Sequence, residues 1–339
     1  KGSQQKRFLL GKSKCARLGR FRGKEEMVLD PNFLSKDGST SIRTFVVSNN
    51  GKYAAYGLSE GGSDWTTVKV IENATGREMA ETIKWVKFSG ISWEGNGFYY
   101  SRYDEPTTES ALKGKNEYHK VYYHNVGTPQ SADVLIYEDK QHPLRNFSNV
   151  VSDDERYHYM EGSEASSGNS LLIRDAAGKK SISISENFND SYNVIGNEGD
   201  VIFILTNKDA SRYKVISLDF NSGKQSTLIP EKEDVLLNVV RAGNHLVAHY
   251  MKDAGSRLSI YSLNGAFENE IKLPTYCTVS SLNGSIRDSS LFYSVVSFTF
   301  PETVYRYDLF SKLSEVFFRP EIDFDPAGYE IKQVFYPSK

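Results

Sequence analysis

The feature that most constrains this fold is a pattern of tight turns and short strands that recurs along the chain. Its clearest copy runs from Val46 to Glu78, where Asn49-Asn50-Gly51 is suited to positive φ and the flanking segments alternate apolar and polar side chains. Comparable turns fall near residues 51, 97, 155, 199, 243 and 284. A period of roughly 40 to 50 residues with about four strands per unit is typical of β-propeller blades. The sequence therefore predicts an all-β propeller with six clear four-stranded blades and a partial first blade.

Composition and charge are consistent with one closed repeat domain. The 339 residues include 21 Tyr, 19 Phe and 3 Trp, which are large side chains suited to packing between sheets. The formal net charge is −2, and no stretch of apolar residues is long enough to span a bilayer. We therefore expect a soluble protein with neither a nucleic-acid nor a membrane partner.

The chain has two cysteines, Cys15 and Cys277. Two cysteines in a chain of this length exclude a disulfide framework. A single bridge between them is conceivable, but two free thiols in a reducing compartment are the simpler interpretation. We therefore expect a cytoplasmic location, while a periplasmic or secreted location stays open. The first residue is Lys, so a fragment or a processed form is an open alternative.

Residues 1–24 form a basic segment with nine Lys or Arg and no acidic residue. One interpretation is an arm for an anionic partner or a targeting segment. The simpler interpretation is an irregular terminus or part of an atypical first blade. We therefore divide the chain into this basic segment and a propeller domain over residues 25–339.

The sequence offers little that could carry catalysis by itself. Hardly any helical pattern is present, so no strand-to-helix turn is expected to hold a nucleophile elbow. His245 and His249 would face the same side of one strand, but no third ligand is spaced beside them, so we predict structural roles and no metal or cofactor. The acidic run Asp153-Asp154-Glu155 takes the place of Asn49-Asn50-Gly51 in another copy of the repeat, which predicts a turn.

Several long motifs resemble one family. The segments LSEGGSDWTTVKV, KFSGISWEGNGFYYSRYDEP, KVYYHNVGTPQSADVLIYED, VSDDERY and IKQVFYPSK occur in the order and spacing of the propeller of prolyl oligopeptidase, a serine peptidase that cleaves short peptides after proline. The resemblance covers about residues 25–339. It implies a seven-bladed propeller that is inserted into an α/β-hydrolase domain and caps its active site.

The resemblance also implies what this chain lacks and what it binds. The family's Ser, Asp and His would lie in hydrolase sequence past Lys339, so we expect no catalytic residue here and no activity from the chain alone. The expected partners are that hydrolase domain and short proline-containing peptides. A propeller cap would act as a gate that selects the peptides reaching the nucleophile.

Three residues correspond to positions that line the family's substrate cavity. Phe88, in VKFSGISW, matches an aromatic side chain of a subsite wall, although a core phenylalanine of an inner strand is the alternative. Asn146 stands where the family tends to have an apolar side chain, and Ser166 where some members have a reactive cysteine. Both replacements predict that this cavity binds peptides differently from the cavities of better-known family members.

Two other functions stay open at this stage. A stand-alone propeller could be a binding module for a protein partner. A propeller could also be a glycosidase, since many carboxylates are available and their distances in space are not visible in the sequence.

Overall fold

The computed structural model describes residues 8–11, 25–29, 34–35, 37–106, 115–164, 167–274, 276–320, 328–329 and 331–335. The chain divides into two compact units, residues 1–188 and residues 189–339. Both are built from antiparallel strands joined by tight turns. No helix in the described ranges is long and apolar enough to cross a membrane.

The first unit begins with a two-stranded pair and continues with three four-stranded modules. The pair is β1 (Phe8–Gly11) with β2 (Glu25–Leu29). The modules are β3 (Thr40–Val47), β4 (Tyr53–Glu60), β5 (Thr66–Glu72) and β6 (Arg77–Glu78); β8 (Ser92–Glu94), β9 (Gly97–Arg102), β10 (Lys120–Asn125) and β11 (Val134–Glu138); and β12 (Asn146–Val151), β13 (Tyr157–Ser163), β14 (Ser170–Asp175) and β15 (Ser181–Ser185). A short strand, β7 (Ile83–Val86), pairs with both β5 and β9 and so joins the first two modules into one nine-stranded sheet.

The second unit contains three further four-stranded sheets. They are β16 (Tyr192–Glu198), β17 (Val201–Thr206), β18 (Lys214–Asp219) and β19 (Gln225–Ile229); β20 (Val235–Ala242), β21 (His245–Lys252), β22 (Gly255–Ser262) and β23 (Phe267–Ile271); and β24 (Thr278–Asn283), β25 (Ser290–Ser297), β26 (Phe300–Asp308) and β27 (Leu313–Phe318). Together with the first unit, the part of the chain that the structure describes contains six four-stranded modules and one partial module. The blade pattern predicted from the sequence is confirmed.

The repeat extends to the hydrogen bonds of the turns. In the first copy the Ser48 hydroxyl donates to Asn50 Oδ1 at 2.8 Å and accepts from the Tyr53 N–H at 3.0 Å. In the third module the Ser152 hydroxyl donates to Asp154 at 2.6 Å and accepts from the Tyr157 N–H at 3.0 Å. The predicted equivalence of the acidic run to the first turn is therefore confirmed. A serine or Asx side chain that satisfies backbone groups explains why these turns are polar.

The apolar core lies along the middle strands of each module. In the second unit one cluster joins side chains of β17 to β22, among them Phe203, Leu236, Leu246 and Tyr250. In the first unit the corresponding cluster contains Val68, Trp93, Phe98 and Tyr100. Middle strands of this kind read as nearly continuous apolar runs, such as VIFILT and HLVAHYM, because both of their faces are covered.

Candidate functional site

The regular strand pattern breaks between β7 and β8. The segment forms two short strands, which are separated by residues 87–91. Trp85 and Phe88 have φ values of 63° and 51°, which bulky side chains rarely adopt. Such strained positions persist only where surrounding contacts hold them, and they are concentrated at functional sites.

Phe88 does not belong to the apolar core. Its side chain is 59% exposed, whereas Phe98 on β9 is fully buried. The Lys87 ammonium lies 5.1 Å from the centroid of the Phe88 ring and 3.4 Å from Asp64 Oδ2. The alternative that Phe88 is a core phenylalanine of an inner strand is therefore wrong.

A buried histidine connects this irregular segment to the next module. The Phe147 N–H donates to His119 Nδ1 at 3.0 Å, so Nε2 carries the proton and donates to the carbonyl oxygen of Lys87 at 2.9 Å. Burial lowers the pKa of His119 to about 4. The neutral ring uses both nitrogens to fix the backbone beside Phe88 against the start of β12.

A tyrosine supplies a second connection between the same elements. The Tyr103 hydroxyl donates a hydrogen bond to Asn146 Oδ1, and its ring centroid lies 4.6 Å from that of His119. The Tyr103 N–H also donates to the Trp85 carbonyl oxygen at 3.2 Å. Burial raises the pKa of Tyr103 to about 12, so this hydroxyl remains a donor at neutral pH.

The side chain of Gln130 holds the other end of β7. Its amide oxygen accepts from the Lys84 N–H at 3.0 Å, and its amide nitrogen donates to the Lys84 carbonyl oxygen at 3.1 Å. This pair of hydrogen bonds replaces the ladder partner that the short strand does not have at that position. Side chains that are distant in the sequence therefore hold both ends of this segment.

These contacts frame a cavity of about 260 Å³ within the first unit. Its lining consists of Phe88, Asn146, Phe147, Ser148, Glu161, Gly162, Ser163 and Asn169. Asn146 lies opposite Ser163, and Ser148 lies opposite Glu161, in the register of β12 with β13. Gly162 allows close packing under the cavity, because a Cβ there would lie 2.4 Å from Ser170 Oγ and 2.9 Å from Phe147 Cε1.

Two of the three residues predicted to line a substrate cavity, Phe88 and Asn146, line this same cavity. Ser166 lies outside the described residues. Four further lining residues carry no signal in the sequence: Ser148, Glu161, Ser163 and Asn169. The alternation of β13 would have placed Glu161 and Ser163 on one face, but no residue pattern indicated which face borders a cavity.

The described residues that line this cavity present mainly polar groups, which can form hydrogen bonds with a ligand. Its lining offers amides, hydroxyls, one carboxyl group and one exposed aromatic ring, which suit a peptide backbone and its side chains. His119 cannot take a proton from a nucleophile in this geometry, because both of its nitrogens already have partners.

The chain does contain one pentapeptide of the form Gly-x-Ser-x-Gly, at residues 57–61. Ser59 lies inside β4, is fully buried, and donates its hydroxyl hydrogen to the Ser63 carbonyl oxygen at 2.5 Å. A nucleophile elbow instead exposes its serine on a turn from a strand to a helix. This pentapeptide is therefore part of a hairpin.

The two histidines of β21 have separate partners. His245 Nε2 lies 3.2 Å from Glu268 Oε2, and His249 Nε2 lies 2.8 Å from Ser256 Oγ. No group of three or more His, Cys, Asp or Glu side chains in the described ranges could hold a metal ion. The contacts of both histidines are those of structural residues.

A family model and the most similar relatives all point to the same family. The model of the prolyl oligopeptidase N-terminal beta-propeller domain matches residues 1–319. A prolyl endopeptidase of Elizabethkingia meningoseptica is 37% identical over 321 residues, which cover 93% of this chain and 45% of that protein. Prolyl oligopeptidase A of Galerina marginata is 30% identical over 348 residues, covering 93% of this chain and 47% of that protein.

Solved structures agree with the sequence matches. A prolyl endopeptidase structure superposes with a TM-score of 0.83 at 32% identity, covering 93% of this chain and 46% of the other. Prolyl oligopeptidase B of Galerina marginata, bound to a 25mer macrocyclization substrate, gives a TM-score of 0.88 at 26% identity, covering 99% of this chain and 50% of the other. The chain thus spans about half the length of the relatives that it matches. It belongs to the prolyl oligopeptidase family, within which it corresponds to the N-terminal β-propeller domain.

Proposed function

We propose that this chain is the gating and substrate-selecting propeller of a serine peptidase that hydrolyses short peptides after proline. The observation that carries the proposal is the exposed Phe88 ring, held in a strained conformation at the edge of a cavity in a chain that is 37% identical to a prolyl endopeptidase. Strained backbone that extensive contacts maintain around an exposed aromatic ring is typical of ligand-binding positions.

In this proposal the chain contributes selection and the partner domain contributes chemistry. The Ser, His and Asp of the reaction belong to an α/β-hydrolase domain, the expected partner. The propeller admits peptides small enough to enter an enclosed space and keeps folded proteins away from the nucleophile. Asn146, and by the sequence prediction Ser166, give the peptide-contacting wall a more polar character than an apolar side chain would.

The test uses the complete coding sequence in which this chain occurs. Its purified product should release the chromophore from a blocked Gly-Pro chromogenic peptide, and a serine-directed inhibitor should abolish this activity. A matched peptide with Ala in place of Pro should be cleaved at least about tenfold more slowly, since the packing of a proline ring in an apolar subsite is worth about 1 to 3 kcal/mol. The isolated 339-residue chain should show no turnover, because a binding cavity without a nucleophile and base does not hydrolyse.

Each outcome decides between the proposal and its alternatives. A product that binds proline peptides without cleaving them would favour the stand-alone binding module. Activity on aryl glycosides would favour a glycosidase. Turnover by the isolated chain that a serine-directed inhibitor blocks, in a preparation free of contaminating peptidase, would overturn the assignment of catalysis to a partner domain.

A further inference from the structure

Glu161 is the one ionisable group among the described residues that line the cavity. The other lining side chains are amides, hydroxyls and aromatic rings. Glu161 lies on β13 opposite Ser148 of β12, and it shares a strand face with Ser163, which lies opposite Asn146. Its carboxyl group is therefore presented to the cavity together with the polar side chains of the same face.

Two other acidic side chains of the first unit have cationic partners, whereas Glu161 has none among the residues that the structure describes. Glu164 lies 3.1 Å from the Arg145 guanidinium, and Asp64 lies 3.4 Å from the Lys87 ammonium. Among the described residues, Glu161 has neither a hydrogen-bond partner nor an ion pair. Burial raises the pKa of this carboxyl group, and no cation within the described ranges offsets that effect.

A half-buried carboxylate without a partner favours a cationic ligand. Desolvation of the charged group is unfavourable unless a positive charge or hydrogen-bond donors compensate for it. An ammonium or guanidinium group in the cavity would supply both the positive charge and the hydrogen-bond donors. An anionic side chain in the same place would be repelled by Glu161.

We infer that Glu161 makes this cavity select peptides that carry a positive charge, either a lysine or arginine side chain or a free α-ammonium group. The inference rests on the proposed function, because it takes peptides as the ligands of this cavity. A volume of about 260 Å³ fits a residue or two of a peptide and excludes a folded protein. Glu161 then acts as a specificity-determining residue that contacts the substrate away from the bond that is cleaved.

The test compares matched peptides on the complete gene product. Each peptide contains one proline and one lysine, placed at successive positions on the amino-terminal side of the proline, and each has a norleucine partner of the same length. A second pair differs only in a free or an acetylated amino terminus. Dissociation constants and kcat/KM are measured for the wild type, for Glu161→Gln and for Glu164→Gln. The glutamine variants preserve the shape of the side chain, and thermal unfolding verifies that each variant is folded.

The wild type should prefer a cationic member of at least one pair by about 10- to 100-fold, as expected for a charged hydrogen bond in a partly desolvated site. Glu161→Gln should remove that preference, because the substitution removes the charge and preserves the shape of the side chain. Glu164→Gln removes an equal charge outside the cavity and should keep the preference.

Three results would overturn the inference. The first is that the wild type has the same dissociation constants and kcat/KM for charged and neutral peptides while it still cleaves proline peptides. This result leaves the proposed function intact. The second is a cationic preference that persists in Glu161→Gln. The third is the failure of every peptide to bind or to be cleaved, and it removes the proposed function as well.

Discussion

The sheet formed by β20–β23 and the segment from β7 to β8 differ in regularity and in burial. The sheet is regular and buries most of its apolar residues, whereas the segment is irregular and exposes one. In β21, Leu246, Val247, Ala248 and Tyr250 are all buried, because the sheet is covered on both faces. The β7–β8 segment places two bulky residues at positive φ and exposes an aromatic ring. Regular apolar periodicity stabilises the module, while the departure from it creates a cavity.

The two regions also differ in what keeps them in place. The β20–β23 sheet relies on the packing of apolar side chains, which form clusters on both of its faces. The β7–β8 segment relies on directional contacts from His119, Tyr103 and Gln130, which join it to neighbouring strands. A few hydrogen-bonding side chains thus hold a conformation that the local sequence does not favour.

The largest expected effect is in the regular sheet. Leu246→Ala should lower the free energy of unfolding by about 2 to 5 kcal/mol, because it leaves a cavity in a closely packed cluster. Leu237→Ala, the same substitution at an exposed position of β20, should cost less than about 1 kcal/mol. Denaturant midpoints of both variants measure the difference. Equal losses of unfolding free energy in the two variants would show that the burial of apolar side chains is not what stabilises this sheet.

The second expected effect concerns acid stability and His119. Its pKa is about 4 in the folded protein and near 6.5 when unfolded, so the unfolded chain binds more protons between these values. Folding stability should therefore fall as pH decreases from about 6.5 to about 4, by about 3 kcal/mol from this group. His119→Gln keeps an amide donor near Lys87 without a titrating ring, and its pH profile should be flatter by that amount.

A surface histidine provides the control for this experiment. His142 is partly exposed and pairs with Asp139 at 2.8 Å. His142→Gln should retain most of the acid-induced loss of stability seen in the wild type. Urea unfolding at several pH values measures all three proteins. Parallel profiles for the wild type and His119→Gln would show that the buried imidazole does not titrate as its burial requires.

The sequence was sufficient to predict the modules because each one repeats the same local chemistry. The turns at Ser48 and Ser152 form equivalent hydrogen bonds although their central residues differ, so the pattern of turn and strand was visible without an alignment. The resemblance to the family also located Phe88 and Asn146, and both residues line one cavity.

The remaining features could not be predicted because they depend on contacts between distant residues. Trp85 and Phe88 both have positive φ, a conformation that is common only for glycine. Their residue types therefore gave no indication of it. His119 accepts a hydrogen bond from Phe147, which is 28 positions away, and only the fold brings them together. The pentapeptide around Ser59 shows the opposite case, in which a motif is present but its structural context is that of a hairpin.

The smallest expected effect is at Phe88. Because its ring is 59% exposed, Phe88→Ala should lower the free energy of unfolding by less than about 1 kcal/mol. Phe98→Ala removes a fully buried ring from the neighbouring strand and should cost about 3 to 5 kcal/mol. Denaturant midpoints distinguish the two. A loss at Phe88 as large as that at Phe98 would show that the ring stabilises the module.

The variant Phe88→Gly distinguishes the effect of backbone strain at this position from the effect of losing the aromatic ring. At φ 51° a residue with a Cβ is strained by about 1 to 2 kcal/mol, whereas glycine is not, although glycine loses about 0.5 to 1 kcal/mol more in backbone entropy on folding. Phe88→Gly should therefore be at least as stable as Phe88→Ala. In the complete gene product both variants should weaken the binding of proline peptides equally, because both remove the ring. Lower stability of the glycine variant would show that the backbone at Phe88 is unstrained, and unchanged peptide affinity would remove the ring from the binding surface.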